Sequence, residues 1–177
     1  MGERRSLVLD TSAFIGGFDP SSVSEETYSV PEVEKELLES FIPKLRFTTS
    51  VESGKLKVIE PQQQYINLVK KASEEVGDAN LLSSADISIL ALAAQLKDKG
   101  HNPIIITEDY SIQNVAERLK LKFASLTNLG IRYQLFWKQY CPACGKEYQT
   151  DREITICENC GTELKRKPVK RKPIKRD

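Results

Sequence analysis

The chain has 177 residues, 40% of them apolar and 29% charged, with a formal net charge of +1. That is room for one domain of ordinary size with a real core, plus a small appendage. No apolar run is long enough to cross a bilayer, and residues 1–12 hold nothing longer than Leu7-Val8-Leu9, which excludes a membrane span and leads to the expectation of a soluble, cytoplasmic protein.

Residues 6–9 read as a buried strand, and 28–30 as a short edge strand or the approach to a helix opened by Pro31. That helix carries Val33, Leu37 and Phe41 on one face. Residues 42–60 are less regular, with Lys44, Arg46, Lys55 and Lys57 among Leu45, Phe47 and Val51; they read first as a solvated edge, with a basic face as the alternative. A strand is expected at 56–59. Tyr65, Leu68, Val69, Ala72 and Val76 recur at helical spacing over 62–76, and Gly77 closes that helix. The next helix spans 84–99, with Ser84 as its cap and Gly100 at its end. Residues 103–107 form a short apolar strand of the kind found in the middle of a parallel sheet. A helix over 109–121 turns Ile112, Val115, Ala116 and Leu119 inward, and a last strand follows at 123–126. This alternation predicts an α/β domain over residues 1–128, a mostly parallel sheet flanked by helices. Residues 129–138 serve as a linker within an aromatic, extended stretch, 131–140, in which Trp137 and Tyr140 either join the two parts or stack bases.

Cys141, Cys144, Cys157 and Cys160 are the only cysteines, in two Cys-x-x-Cys pairs separated by twelve residues. That spacing suits one tetrahedral zinc held by four thiolates, and predicts a small zinc ribbon over residues 139–164. Gly145 and Gly161 follow the pairs and let the backbone fold back on the thiolates. Two disulfides are the alternative, and nothing suggests the oxidising compartment they need. A closed four-cysteine site has no open coordination position, so it stabilises a fold and leaves the chemistry to be found elsewhere.

The small net charge is a balance of opposites, since residues 165–177 carry +7 and residues 1–164 carry −6. Lys165, Arg166, Lys167, Lys170, Arg171, Lys172, Lys175 and Arg176 recur with a period of five around prolines, a pattern expected to be a disordered tail suited to neutralising phosphates. A solubilising tail or an import signal is the plainer reading.

Four carboxylates stand at telling places. Asp10 ends the first strand, at the sheet edge where open α/β folds bind ligands, although alone it reads equally as a helix N-cap. Glu36 falls on the same face as Val33, Leu37 and Ser40, where a charge needs a partner. Asp86 lies one turn into its helix, on the stripe of Ile89, Leu90 and Ala93, or simply complements the helix dipole. Asp109 leaves the 103–107 strand and opens the next helix. Strand ends and helix starts meet on one edge of a parallel sheet, so the four should converge and repel one another. A divalent cation removes that conflict, and an oxygen-only donor set selects Mg²⁺ or Mn²⁺, the equipment of phosphodiester hydrolysis. His101, the only histidine, reads as a surface loop residue, which leaves triad chemistry little to work with.

Leu9-Asp10-Thr11-Ser12-Ala13-Phe14, Val33-Glu34-Lys35-Glu36-Leu37, the segment 84–93 around Asp86 and the segment 107–116 around Asp109 resemble the four acidic motifs of PIN-domain ribonucleases. Joined to a four-cysteine ribbon, they resemble the Nob family of ribosome-assembly endonucleases, in a compact, archaeal-like form. The resemblance implies a PIN-like fold, with Asp10, Glu36, Asp86 and Asp109 as catalytic, metal-binding carboxylates and Ser12 and Thr107 in support. Either Glu108 or Asp109 would face the metal. It implies a single-strand endoribonuclease that processes the 3′ end of precursor 16S ribosomal RNA and leaves 5′-phosphate and 3′-hydroxyl ends. Its partners would be that RNA and the assembling small subunit. A toxin-type PIN ribonuclease and a non-catalytic RNA-binding assembly factor are the alternatives.

Overall fold

The computed structural model describes residues 4–126, 133–148 and 154–173. Five strands, β1 (Arg4–Leu9), β2 (Glu26–Ser29), β3 (Leu56–Val58), β4 (His101–Ile106) and β5 (Lys122–Ala124), form a parallel sheet in the order β3-β2-β1-β4-β5. The chain winds outward from β1 to β3, then crosses back to β4 on the other side of β1. The gap between the ends of β1 and β4 is therefore the switch point at which such sheets bind ligands. Their register pairs Leu9 with Ile106, so the residues just beyond, Asp10 and Thr107, emerge side by side.

Six helices connect the strands: α1 (Thr11–Ile15), α2 (Pro31–Glu36), α3 (Phe41–Glu52), α4 (Gln63–Val76), α5 (Ser84–Asp98) and α6 (Tyr110–Arg118). The middle of α5 is buried on nearly every side, from Ser88 to Leu96, which explains its run of Ala, Leu and Ile. It forms one core with β1, β4, α4 and α6.

Several expectations change. β2 is an inner strand, paired on both sides, rather than an edge. α2 stops at Glu36 and passes through a 3₁₀ turn, Leu37–Glu39, to extended backbone at Ser40. The apolar stripe breaks there, so Phe41 begins a new helix and is 80% exposed. Residues 42–52, read as irregular, continue that helix; Pro43 sits in its first turn, where no backbone N–H is required. Ser83, not Ser84, caps α5. His101 opens β4, its ring edge-on to Tyr28 with centroids 6.1 Å apart.

The C-terminal part is a second, three-stranded antiparallel sheet of β6 (Tyr133–Tyr140), β7 (Glu147–Tyr148) and β8 (Lys165–Pro173), in the order β7-β6-β8. The expected linker thus runs largely into β6, and the expected disordered tail is strand as far as Pro173. The aromatic strand gives the basic one a partner along its whole length. Pro168 is accommodated because β8 is an edge strand and the register shifts between Phe136 and Trp137, where it pairs. Lys175 and Arg176 lie outside the described residues, as do the side chains of Arg171 and Lys172.

The two sheets meet through α4 and α6, which contact β6. Gly77 ends α4 at φ +79°, and a Cβ there would lie 2.5 Å from the Trp137 carbonyl oxygen. Trp137 therefore serves the joining role, its ring lying under the Arg166 guanidinium at 4.8 Å.

Candidate active site and metal centre

Asp10 is 4% exposed and caps α1. One carboxylate oxygen accepts the Thr11 N–H at 2.6 Å; the other accepts the Ser12 and Thr107 hydroxyls, each at 2.9 Å. Those hydroxyls in turn accept the backbone N–H groups of Glu108 and Asp109, both at 3.0 Å. The ends of β1 and β4 are thereby sewn together around one carboxylate. Burial pushes the Asp10 pKa up, and the bonds from Ser12, Thr107 and Thr11 oppose it.

Asp86 and Ser83 form a reciprocal cap: the Ser83 N–H donates to Asp86 at 2.7 Å, and the Asp86 N–H donates to the Ser83 hydroxyl at 3.2 Å. Burial raises the Asp86 pKa first, the Ser83 bonds lower it, and the charges of Asp10 and Asp109 raise it again. Asp86 thus stands within electrostatic reach of both other aspartates. Asp109 is exposed and caps α6, accepting the Ser111 N–H at 2.6 Å. Its neighbour Glu108 is turned to the Leu126 N–H at 2.6 Å, so Asp109 is the member of that pair whose charge Asp86 feels.

Glu36 differs from its expected place, because the early end of α2 leaves it exposed instead of inward. It still reaches the same edge, accepting the Thr11 hydroxyl and, at 3.2 Å, the Ser83 hydroxyl. Thr11 and Ser83 were not singled out from sequence; the only signals were a hydroxyl next to Asp10 and a serine pair before Asp86. The acidic edge is open. Among the described residues, the cysteines form the one group of three or more metal-ligating side chains whose donor atoms lie within 4.8 Å of one another.

In that group, Cys141 and Cys160 sulfurs lie 3.4 Å apart and Cys144 and Cys157 sulfurs 3.6 Å apart. Both exceed the roughly 2.05 Å of a disulfide and approach the separation of about 3.8 Å set by a tetrahedron of 2.3 Å zinc–sulfur bonds. Gly145 and Gly161 adopt φ of +74° and +72°, each donating back to the first cysteine carbonyl of its knuckle at 2.9 Å. The Tyr148 hydroxyl, 3.1 Å from the Cys157 sulfur, holds that thiol down at about 6. The donor set and spacing fit one zinc ion.

Of the basic residues expected to meet RNA, Arg166 is committed inside the protein, to Asp78 at 2.7 Å and the Gly77 carbonyl at 2.6 Å. Lys167 pairs with Glu147 at 2.7 Å and lies over the Tyr140 ring at 5.0 Å. Lys165 and Lys170 are exposed.

A parallel sheet with acidic residues at its switch point, followed by a four-thiol ribbon, defines a PIN-type nuclease. In agreement, residues 7–96 match the PIN domain of ribonuclease. The chain is 38% identical over 175 residues to "Endoribonuclease Nob1" of Methanocaldococcus jannaschii, covering 99% of this chain and 84% of that protein. It is 36% identical over 159 residues to "Endoribonuclease Nob1" of Pyrococcus abyssi, covering 90% and 91%. "Ribonuclease VapC1" of Thermoplasma acidophilum is 33% identical over 168 residues, covering 90% and 76%. The chain belongs to the Nob1 family of endoribonucleases.

Proposed function

We propose that this protein is a Mg²⁺- or Mn²⁺-dependent single-strand endoribonuclease that trims the 3′ end of precursor 16S ribosomal RNA on the assembling small subunit, in the cytoplasm. The observation that supports it most is the coupling of Asp86 to both Asp10 and Asp109 at the switch point of the sheet, with burial opposing ionisation of two of the three. Such a group of carboxylates is stabilised by a cation, and its all-oxygen chemistry fits Mg²⁺ or Mn²⁺. Asp10, Asp86, Asp109 and Glu36 would hold the ion, Asp10 as the buried anchor and Glu36 as the exposed gate toward solvent. When bound, the ion supplies the positive charge that acidifies water and neutralises a phosphodiester, giving 5′-phosphate and 3′-hydroxyl ends. Ser12 and Thr107 keep Asp10 fixed in rotamer; Thr11 and Ser83 aim Glu36.

An acidic edge repels RNA, so affinity must come from elsewhere. Lys138 faces Lys167 and Tyr140 faces Lys165 across the β6–β8 pair, which puts three lysines and an aromatic ring on one face of the ribbon sheet. That face, with Lys170 and the basic residues beyond it, suits the phosphates of structured RNA next to the cut. Zinc would hold the ribbon that carries it.

The test is cleavage of an RNA spanning the precursor 3′ junction, with and without Mn²⁺, followed by end mapping. Asp10→Asn and Asp86→Asn should each abolish cutting while the zinc-loaded variants still bind RNA. Full activity in both variants refutes the assignment. A toxin-type role is the second reading, because the VapC1 relative aligns over more of the chain than the PIN domain alone. Growth arrest on expression of the wild type, absent with Asp10→Asn, would favour it over ribosome assembly.

A further inference from the structure

Asp78 is 2% exposed, lies outside the acidic edge, and has its charge fully engaged. One carboxylate oxygen accepts from Arg166 of β8 at 2.7 Å and the other from the Asn114 amide at 2.5 Å. The same Arg166 nitrogen donates to the Gly77 carbonyl at 2.6 Å, while its guanidinium covers the Trp137 ring of β6. Both long strands of the ribbon sheet therefore grip a single turn of the nuclease body.

That turn leads to the acidic edge by two short routes. Asp78 accepts the Leu81 N–H through its carbonyl at 2.9 Å, and two residues later Ser83 binds Glu36 and caps the helix that carries Asp86. Asn114 belongs to α6, whose N-cap is Asp109. One buried residue thus joins the ribbon and the helix opened by Asp109 through its carboxylate, and the segment delivering Asp86 through its backbone carbonyl.

We propose that Asp78 is a positioning residue, and that seating of Arg166 against it sets the spacing of Asp86 and Asp109 and so the cation affinity of the acidic edge. The inference rests on the proposed role of that edge as the metal site. It makes the ribbon a structural regulator of the nuclease centre as well as an RNA contact. Arg166 acts through Asp78 and touches no phosphate.

The test uses the full, zinc-loaded chain and two readouts: Mn²⁺ binding, followed by the paramagnetic signal of the free ion, and RNA affinity measured without added Mg²⁺ or Mn²⁺ and without chelator, so that the ribbon keeps its zinc. Asp78→Asn and Arg166→Gln should each weaken Mn²⁺ binding by about tenfold, the low end for partners that orient metal ligands. The double variant should be no weaker than the worse single, since both break one junction. Arg166→Lys should fall between, because an ammonium keeps the charge on Asp78 but loses the flat guanidinium that covers the Trp137 ring. RNA affinity should stay within about twofold in all of them, as a non-contacting role requires. Unchanged Mn²⁺ binding in Arg166→Gln with a loss of RNA affinity overturns the proposal, as does strict additivity in the double variant. If Asp78→Asn fails to fold, Arg166→Gln and Arg166→Lys on the edge strand decide the matter alone. Asp10→Asn separates the two ideas: if it loses Mn²⁺ while Arg166→Gln does not, only the positioning role fails; if it keeps Mn²⁺, the metal site itself fails and this inference with it.

Discussion

Asp10 shows how a single carboxylate can be held ready for a cation. Burial favours its neutral form, and the bonds from Ser12, Thr107 and Thr11 favour the charged one. Thr107→Val removes one opposing bond, so the pKa should climb further and the ionised form, which would hold the cation in the proposed site, should be lost at higher pH. The acid limb of the cleavage profile should move up by about one unit, the value of one hydrogen bond to a charged group; an unmoved limb would mean that Thr107 does not tune Asp10. The Asp10 and Asp86 carboxylates are both raised above 3.8, so each prefers its proton in the folded state. Their contribution to stability is full below that value and is lost as pH rises through the raised folded values. Metal-free protein at neutral pH therefore carries a penalty that Asp86→Asn relieves, by about 1–2 °C in melting temperature, since Asp86 is half-buried and partly screened. Mn²⁺ should reverse the ranking by stabilising the wild type alone. Asp10, Asp86 and Asp109 were legible in sequence because each follows a strand end or opens a helix. Glu36 was placed correctly at the edge for the wrong reason, as an inward residue of a helix that in fact stops there. Thr11 and Ser83 had no local pattern, since their partner lies 25 and 47 positions away.

Helices and strands were legible where one periodicity ran uninterrupted. α4, with its closing Gly77, and α6, with Asp109 as cap, lie close to where hydrophobic spacing puts them. α3 escaped because its outward side is itself apolar, with Phe41, Ile42 and Leu45 exposed, which erases the contrast that marks an amphipathic helix. β8 escaped for another reason: lysine, arginine and proline have weak strand preference, and only pairing with β6, over 25 residues away along much of the hairpin, creates the strand. Gly77 ties these two failures and successes together, being both a helix end and the seat of β6. Gly77→Ala should cost about 1–3 kcal/mol in urea denaturation, because a left-handed residue gains a side chain directed at the Trp137 carbonyl. Gly100→Ala, left-handed at φ +84° with nothing within 4 Å of the added carbon, is the control and should cost only the backbone part of that loss. Equal losses would remove the docking of β6 on α4 as a source of stability.

In the function proposed above, the molecule as a whole would separate cutting, at the acidic edge of the parallel sheet, from holding, at the lysine-bearing face of the ribbon sheet. Glu147 sits within that face, its pKa held down at about 2 by Lys167 and Lys138, and keeps two of its cations ordered at the expense of their availability. Among the described residues Lys165 and Lys170 make no such pair, so they should carry the salt dependence of RNA binding. Replacing both with Gln should reduce the slope of log affinity against log salt by about 1.8 on structured RNA, two contacts at about 0.9 each. An unchanged slope would place the phosphates elsewhere. The connection between the sheets, Arg166 on Asp78, spans 88 positions of the chain. A ribosome making this protein completes residues 4–126 well before it reaches position 166, and at 5–20 residues per second the gap of about forty codons lasts roughly 2–8 s. Until then the segment that forms the parallel sheet carries an aspartate still awaiting its arginine, so a strand made later completes a domain made earlier.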